Sequence, residues 1–471
     1  TNPPEIYPEF PLKNRSVNQA NQVYPMVREL FHLLKLDAEN YGTTPWNPLK
    51  TVISPGDNVL IKPNFALDRH SNKESIFSII THISVIRPVI DYVLIALNGS
   101  GKITIADAPL VKTNFHNLIE ANGLIELQKY YQQSGINIEI LDLRAEAVQS
   151  QGDVILKRIK LAGDPKGYSV VNLNDNSELY PIRHLYKKLR GSDYDIESTI
   201  LHHNQKKNAY LISNTLLAAD VVISLPKLKT HMKSGVTLNL KNMIGINGNK
   251  NWIPHNRVGS PLNNGDEFCR TNFFKETESK IKDKLKGMLF KSQSPLFKGC
   301  VVGGRKLYQW LIKDRFAPIT SGGWYGNDTV WRSIIDLNKI IFYCDKQGKM
   351  QSGKQRKYFS LIDGIMGGEK EGPLIPSAKK CGVLLAGFYP VAVDICASRL
   401  MGFDWQKIPV IINALNPPQT SQKYPLTEVK LVESINFYSN HQKWAGLLNQ
   451  GNKEKYLSFN PPKGWQNHIE I

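Results

Sequence analysis

The sequence predicts an α/β protein: a two-lobed body with mostly parallel sheets, carrying one β-rich insertion and one basic insertion. Three observations carry that prediction. Short apolar runs alternate with segments of helical periodicity, the pattern of a parallel sheet wrapped by helices. Polar side chains recur just past the ends of those runs, where open parallel sheets bind ligands. The composition, 41% hydrophobic and 21% charged over 471 residues, is globular. Such a length suits two or three domains, or one large α/β body with insertions, and buries a sizeable core. A disordered chain, a collagen and a disulfide-stapled miniprotein are excluded.

Residues 1–50 hold many Pro and Asn and one amphipathic segment, about 23–36, and are expected to form an N-terminal arm. A first α/β lobe is expected over 51–147. NVLIKPNF (58–65) reads as a strand, and Thr81 as the cap of a helix running to about Leu97. KITIADAP (102–109) is a second strand with Asp107 just past its end. A helix follows over NFHNLIEANGLIELQKYYQQSG, then a strand over INIEILDL (136–143). Residues 148–208 break the rhythm with short alternating runs and basic stretches, and are expected to form an inserted β-rich cap.

The second α/β lobe is expected over 209–255 and 331–440. It opens with AYLISNTLLAA, read as helix, and DVVISLP (220–226), read as strand. Residues 256–330 form a basic insertion. After it come the strands YFSLIDGI (358–365) and KCGVLLAG (380–387) and a helix over about 390–401. The tail, 441–471, is rich in Asn, Lys and Trp and is expected to wrap the surface.

The formal net charge of +18 points to anionic partners: a small anionic substrate, an anionic membrane surface or nucleic acid. The basic segment SKIKDKLKGMLFK (279–291) has a modest apolar side in Leu285, Met288 and Leu289. It reads as a solvated face or as a helix lying on an anionic surface. Five cysteines, Cys269, Cys300, Cys344, Cys381 and Cys396, never stand in C-x-x-C spacing, so no iron–sulfur cluster or zinc ribbon is encoded. Cys381 and Cys396 read as buried thiols. No run of about 18 uncharged apolar residues occurs, so no spanning helix is expected. The expected location is cytoplasmic, or peripheral to a membrane. The chain starts at Thr1, and N-terminal processing stays open, as does the oligomeric state.

Chemistry concentrates in three segments. LPKLKTHMKSGVTLNLKNMIGINGNKNWIPH (225–255) follows a strand and packs Lys227, Lys229, His231, Lys233, Lys241, Lys250 and His255 into about thirty residues, with Asn239 and Asn242 beside them. Ammonium groups neutralise an anion while amides and backbone N–H groups orient it. Apolar residues interleave with the lysines, as in a loop pressed on a core. LIDGIMGGEKEGPLIPSAKKCG (361–382) puts Asp363 after a strand and Glu369 and Glu371 on what reads as a glycine-rich turn. Such acids suit a hard divalent cation such as Mg²⁺ or acid/base work. In FYPVAVDICASRLMGFD (388–404), Asp394 lies in an otherwise apolar helix and must find a partner: a lysine, a loop or a metal. His202 and His203 read as exposed. VVGGRK (301–306) lacks a convincing strand–loop–helix context. Walker loop, GxSxG, HExxH and a strong GxGxxG are absent.

IKPNF, ADAP, ADVVISLPKLKTHMKSGVTLNLKNMIG, DGIMGGEKEGP and PVAVDICASRLMG, in this order, resemble the family catalogued as domain of unknown function 362, over about residues 52–405. Some members carry an iron–sulfur domain; the cysteines that would match are lacking here. The family is distantly similar to the N-terminal part of nickel-dependent lactate racemases, which implies a two-lobed α/β body with a cleft. The nickel ligands find no residue-by-residue match.

The resulting expectation is an enzyme acting on a phosphorylated or carboxylated small molecule. Lys62, Lys227, Lys229 and Lys241 would bind the anion, and Asn64 and Asn242 would orient it. His231 would handle protons near neutrality. Lys241 would be a nucleophile or base with a lowered pKa. Asp107, Asp363, Glu371 and Asp394 would hold a divalent cation or tune the lysines. The alternatives are a binding protein for nucleic acid or anionic lipid, and a metal-dependent racemase- or isomerase-like enzyme.

Overall fold

The computed structural model describes residues 1–10, 16–151, 154–191, 195–271, 273–291, 294, 297–301, 303–304, 321–417, 423–426, 439–441, 444 and 455–471. The strands, in chain order, are β1 Asn58–Pro63, β2 Lys102–Asp107, β3 Ile138–Asp142, β4 Glu146–Gln151, β5 Val154–Lys160, β6 Tyr168–Asn172, β7 Leu189–Arg190, β8 Ala209–Ser213, β9 Val221–Leu225, β10 Lys227–His231, β11 Gly235–Val236, β12 Asn256–Arg257, β13 Lys357–Glu371 and β14 Ile375–Gly387.

One mostly parallel sheet organises the chain, in the order β11-β10-β13-β9-β1-β2-β3, with β14 also on β13. Strands from both expected α/β lobes therefore share a continuous sheet, joined where β1 pairs with β9 (Val59 opposite Val221). Each central strand sends alternate side chains to two cores. Val59, Ile61, Ile103, Val221 and Ile223 pack under the helix Ile83–Leu97. Leu60, Val222 and Ile362 face the other way, toward the helices Val330–Tyr343 and Pro390–Met401. Covered on both faces, these strands are nearly uninterrupted apolar runs.

Strands β9 and β10 are nearly one strand, interrupted at Pro226. Proline cannot donate to a ladder, and β1 stops beside Leu225. β10 continues along β13, with Lys227 opposite Asp363 and Lys229 opposite Gly368. The basic segment therefore projects from the carboxyl end of the sheet. It turns back through β11, where Thr237 N–H bonds to Lys229 O, into the short helix Leu238–Asn242.

Several local expectations are corrected. AYLIS is strand β8, paired antiparallel with β6; only Asn214–Leu217 is helical. Of the glycines at 361–372 only Gly372 stands in a turn, between β13 and β14; Gly364, Gly367 and Gly368 lie within the long strand β13. They are small because backbone and side chains approach closely: a Cβ on Gly368 would overlap Ser78 O and lie 3.2 Å from Lys229 Cβ. His82, not Thr81, caps the helix Ile83–Leu97. The Thr81 hydroxyl instead donates to Leu225 O (2.6 Å) and accepts from Asn64 N–H (2.9 Å), tying β1 to β9. His203 is buried on Trp252 O and His202 stacks on the Trp252 ring, so neither imidazole is a solvated side chain. Cys396 is buried and Cys381 half-buried.

Residues 148–208 contribute most of β4, which pairs antiparallel with β5, together with β6, which pairs antiparallel with β8 just beyond them, and β7, which pairs with β12. In the helix Phe273–Lys291, Leu289 is buried, Leu285 half-buried and Met288 exposed, and Asp283 accepts from Arg190 (2.7 Å). VVGGRK lies partly, and the tail before residue 455 largely, outside the described residues. In the final segment Trp465 is buried and its indole N–H donates to Met232 O (2.7 Å). Among the described residues no helix is long and apolar enough to cross a membrane.

Gly368→Ala forces a Cβ into the Ser78 backbone. It should cost about 1–3 kcal/mol of stability, as overpacking does, read as a lowered urea midpoint. An unchanged midpoint would remove the close-approach explanation of these glycines.

Candidate functional site

The carboxyl end of the sheet holds two buried ion pairs. Lys62 is the fifth residue of β1 and points to the same side as Leu60, into the protein rather than into water. Its amino group lies 2.8 Å from Asp107 Oδ1 and donates to Pro63 O (2.9 Å) and Asn242 Oδ1 (3.2 Å). Asp107 Oδ2 accepts from Phe65 N–H (2.7 Å). Burial pushes Asp107 up and Lys62 down, and their mutual attraction opposes both shifts. Gly245 closes over this pair. A Cβ there would overlap Asp107 Oδ1 and stand 2.6 Å from Lys62 Nζ, so its bare backbone serves the ion pair and not a ligand.

The second pair forms on β10. Lys227, Lys229 and His231 alternate along the strand and share one face, while Leu228 enters the core. Lys227 Nζ bonds to Asp363 Oδ2 at 2.8 Å, both side chains having no solvent exposure. The same oxygen accepts the His82 N–H (2.8 Å), and Oδ1 accepts from Ile365 N–H (3.1 Å).

Lys229 and Lys241 differ from these two. The Lys229 amino group, 1% exposed, donates to Ile79 O (2.6 Å) and has no ion-pair partner among the described residues. Burial, then the charges of Lys227 and Lys241, push it down to about 7. Lys241, 7% exposed, has neither a hydrogen-bond nor an ion-pair partner among the described residues. Burial and the Lys233 charge lower it to about 7 as well. Lys250 donates to Ile244 O (2.9 Å), and burial brings it too to about 7.

Two imidazoles adjoin these amines. Burial, and then Lys241 and Lys229, hold His231 well below its usual value. Burial, and then Lys233 and Lys241, do the same to His255. Both rings are therefore neutral at pH 7. Their hydrogen bonds select opposite tautomers. His231 Nδ1 accepts the Lys233 N–H (3.1 Å), which places its proton on Nε2. His255 Nδ1 donates to Ile253 O (2.7 Å), which leaves Nε2 a lone pair. The site thus offers one N–H donor and one basic nitrogen.

Unsatisfied polar atoms lie at the same end. Asn64 Oδ1 and Thr237 Oγ1 are buried without a hydrogen-bond partner among the described residues, a condition that in folded proteins calls for an explanation such as a ligand or water. Leu238 is held at φ +47, a left-handed conformation that costs a side-chain-bearing residue about 1–3 kcal/mol. This strained turn starts the helix that carries Lys241 and Asn242. The Asn242 amide donates to Lys62 O (3.0 Å) and Ser224 Oγ (3.1 Å), so it orients the lysine as well as the strand ends.

The four acids expected to share a cation do not meet. Asp107 and Asp363 each hold a lysine. Glu371 lies at the far end of β13, where Oε1 accepts the Lys463 N–H (2.8 Å). Asp394 takes three N–H donors at the start of the helix Leu238–Asn242: Asn239 N–H (2.8 Å), Asn239 Nδ2 (3.0 Å) and Leu240 N–H (2.9 Å). It anchors that helix and pairs with no lysine among the described residues. Burial pushes it up to about 7 against the pull of those donors. Among the described residues, no three His, Cys, Asp or Glu side chains are grouped to hold a metal ion. The structure therefore gathers Lys62, Asn64, Lys227, Lys229, His231, Lys241, Asn242, Asp107 and Asp363, and leaves Glu371 and Asp394 to structural contacts. Lys250, His255 and Thr237 join the site unassigned by the sequence. The first two stand in the same basic run, but nothing in spacing marks them as inward-facing.

A family model described as Domain of unknown function (DUF362) matches residues 59–174 and 177–399, most of the chain, and the chain belongs to that family. No curated protein and no solved structure gives a significant match.

Removing one member of a buried ion pair strands the other. Asp363→Leu should cost about 3–5 kcal/mol of stability by leaving Lys227 alone, and adding Lys227→Met should recover most of it. Urea unfolding of both variants tests this. A double variant no more stable than the single one would show that Lys227 and Asp363 do not act as a pair.

Proposed function

We propose that this member of the DUF362 family is an enzyme acting on a small phosphorylated or carboxylated molecule, bound at the carboxyl end of the sheet. One observation carries the reading: among the described residues Lys229 and Lys241 are buried without a carboxylate partner, beside two neutral histidines. Protein interiors do not ordinarily accumulate amines in excess of acids. An anionic ligand would supply the missing charge and favour the ammonium form of Lys229.

In this reading Lys229 and Lys241 meet the anion, with Lys62 and Lys227 behind them held by Asp107 and Asp363. The unpartnered Asn64 Oδ1 accepts a ligand hydrogen, and Asn242 sets the position of Lys62. His231 donates a hydrogen bond through Nε2 while His255 accepts one at its own. The depth of the amines favours a small anion over nucleic acid or an anionic lipid surface, since a polymer or a bilayer cannot reach ammonium groups exposed by 7% or less. The acids serve the lysines in this scheme, so the reading calls on no shared divalent cation.

The pH dependence follows from the amines. Lys229, Lys241 and Lys250 have lost their protons above about 7 in the folded protein, whereas an unfolded chain keeps them to about 10.4. Between those values the unfolded state holds more protons, so the anion-free protein gains stability as pH rises. A bound anion favours the charged amines and should be taken up together with protons.

Inorganic sulfate is a suitable probe, because its own charge is constant over this range. Calorimetric titration should show sulfate affinity falling from about pH 7 to pH 9, with proton uptake at the upper end. Lys229→Met should weaken binding roughly tenfold or more, since a hydrogen bond to a charged group contributes about 1.5–3 kcal/mol. Equal sulfate affinity in the variant and the parent would sink the assignment.

A further inference from the structure

The anion explains why amines gather here but not why one of them is left without any partner. Among the described residues, Lys62 and Lys227 are ion-paired, while Lys229 and Lys250 donate to backbone carbonyls. Lys241 alone of these five has no partner for its amino group among the described residues. It is also the most exposed of them, at 7%, and the only one carried by the helix that follows the strained Leu238 turn. A binding lysine gains from fixed geometry. A nucleophilic amine gains from an unengaged lone pair, a nearby hydrogen-bond donor for the developing oxyanion and a base to carry protons. His231 and His255 supply these last two in the tautomers their own hydrogen bonds dictate.

We propose that Lys241 forms an imine with the carbonyl carbon of an anionic aldehyde or ketone, such as a 2-oxo acid, whose anionic group is met by Lys229. The proposal rests on the anion-binding reading and names its substrate class. The Nζ lone pair attacks the carbonyl carbon, and the C=O π pair moves to oxygen, which His231 Nε2–H stabilises by hydrogen bonding. His255 Nε2 then carries the two amine protons, one at a time, from nitrogen to that oxygen. The oxygen leaves as water while the nitrogen pair closes the C=N bond. Amine plus carbonyl gives imine plus water, with no oxidant or reductant consumed. Lys233 keeps the nucleophile competent by discouraging its protonation.

Glyoxylate with cyanoborohydride near neutral pH tests this on the whole protein. The reductant traps any imine as a stable secondary amine, located by mass spectrometry of peptides. With its proton released near 7, Lys241 holds on the order of a thousandfold more neutral amine than a surface lysine. The expected result is preferential labelling of Lys241 that excess sulfate slows, and that Lys233→Met slows several-fold near neutral pH by letting Lys241 hold its proton. Sulfate binding as described above without preferential labelling of Lys241 overturns the imine and leaves the anion site standing. Neither binding nor preferential labelling overturns both.

Discussion

The carboxyl end of this sheet is governed by a charge imbalance. Among the described residues four buried amines, Lys62, Lys227, Lys229 and Lys241, face two carboxylates, Asp107 and Asp363. Two amines are neutralised by direct pairing. The others relieve the imbalance by giving up protons, and the two nearby imidazoles by declining to take them. Neutralisation is the cheaper response, because an isolated charge in a low-dielectric interior costs far more than a shifted pKa. The same response leaves basic nitrogens and open lone pairs next to polar atoms that lack partners. The stability cost and the chemical capacity have one source.

The fold makes this arrangement tolerable by surrounding it with fixed structure. Thr81 joins β1 to β9, Gly245 lets the backbone lie directly on the Lys62–Asp107 pair, and Asp394 holds the helix bearing Lys241 through three N–H bonds. Pro226 ends the pairing with β1 and frees β10 to run past the sheet edge along β13. The C-terminal segment then covers the outer end: Trp465 bonds to Met232 O, and Lys463 N–H to Glu371. Some of these supports, Thr81, Asp394 and Trp465, are remote in sequence from the basic segment they hold.

Much of the scaffold was legible in the residues. The apolar runs of β1, β2, β9 and β13 and the helices Ile83–Leu97 and Pro390–Met401 stand where periodicity and punctuation put them. The failures have physical causes. AYLIS reads equally as a helix or a strand, and antiparallel pairing with β6 decided it. The glycines of β13 signal a turn locally, but they are required by neighbours hundreds of residues away, Ser78 among them. His203 lies in a basic, polar stretch and is buried by Trp252, which no local pattern reveals.

The sequence by itself determined that an α/β sheet would end in a dense basic segment, because strand periodicity and the Lys-His-Asn run are properties of neighbouring residues. It nominated Lys62, Lys227, Lys229, His231 and Lys241 on residue type and on position after a strand. Only the tertiary structure decided which acids would answer which amines, since pairing depends on distance through space. It brought Asp107 and Asp363 to two lysines, turned Asp394 to a helix end and Glu371 to the tail, and left Lys241 unengaged among the described residues. Burial, which no single segment encodes, then set the protonation of the amines and imidazoles that remained.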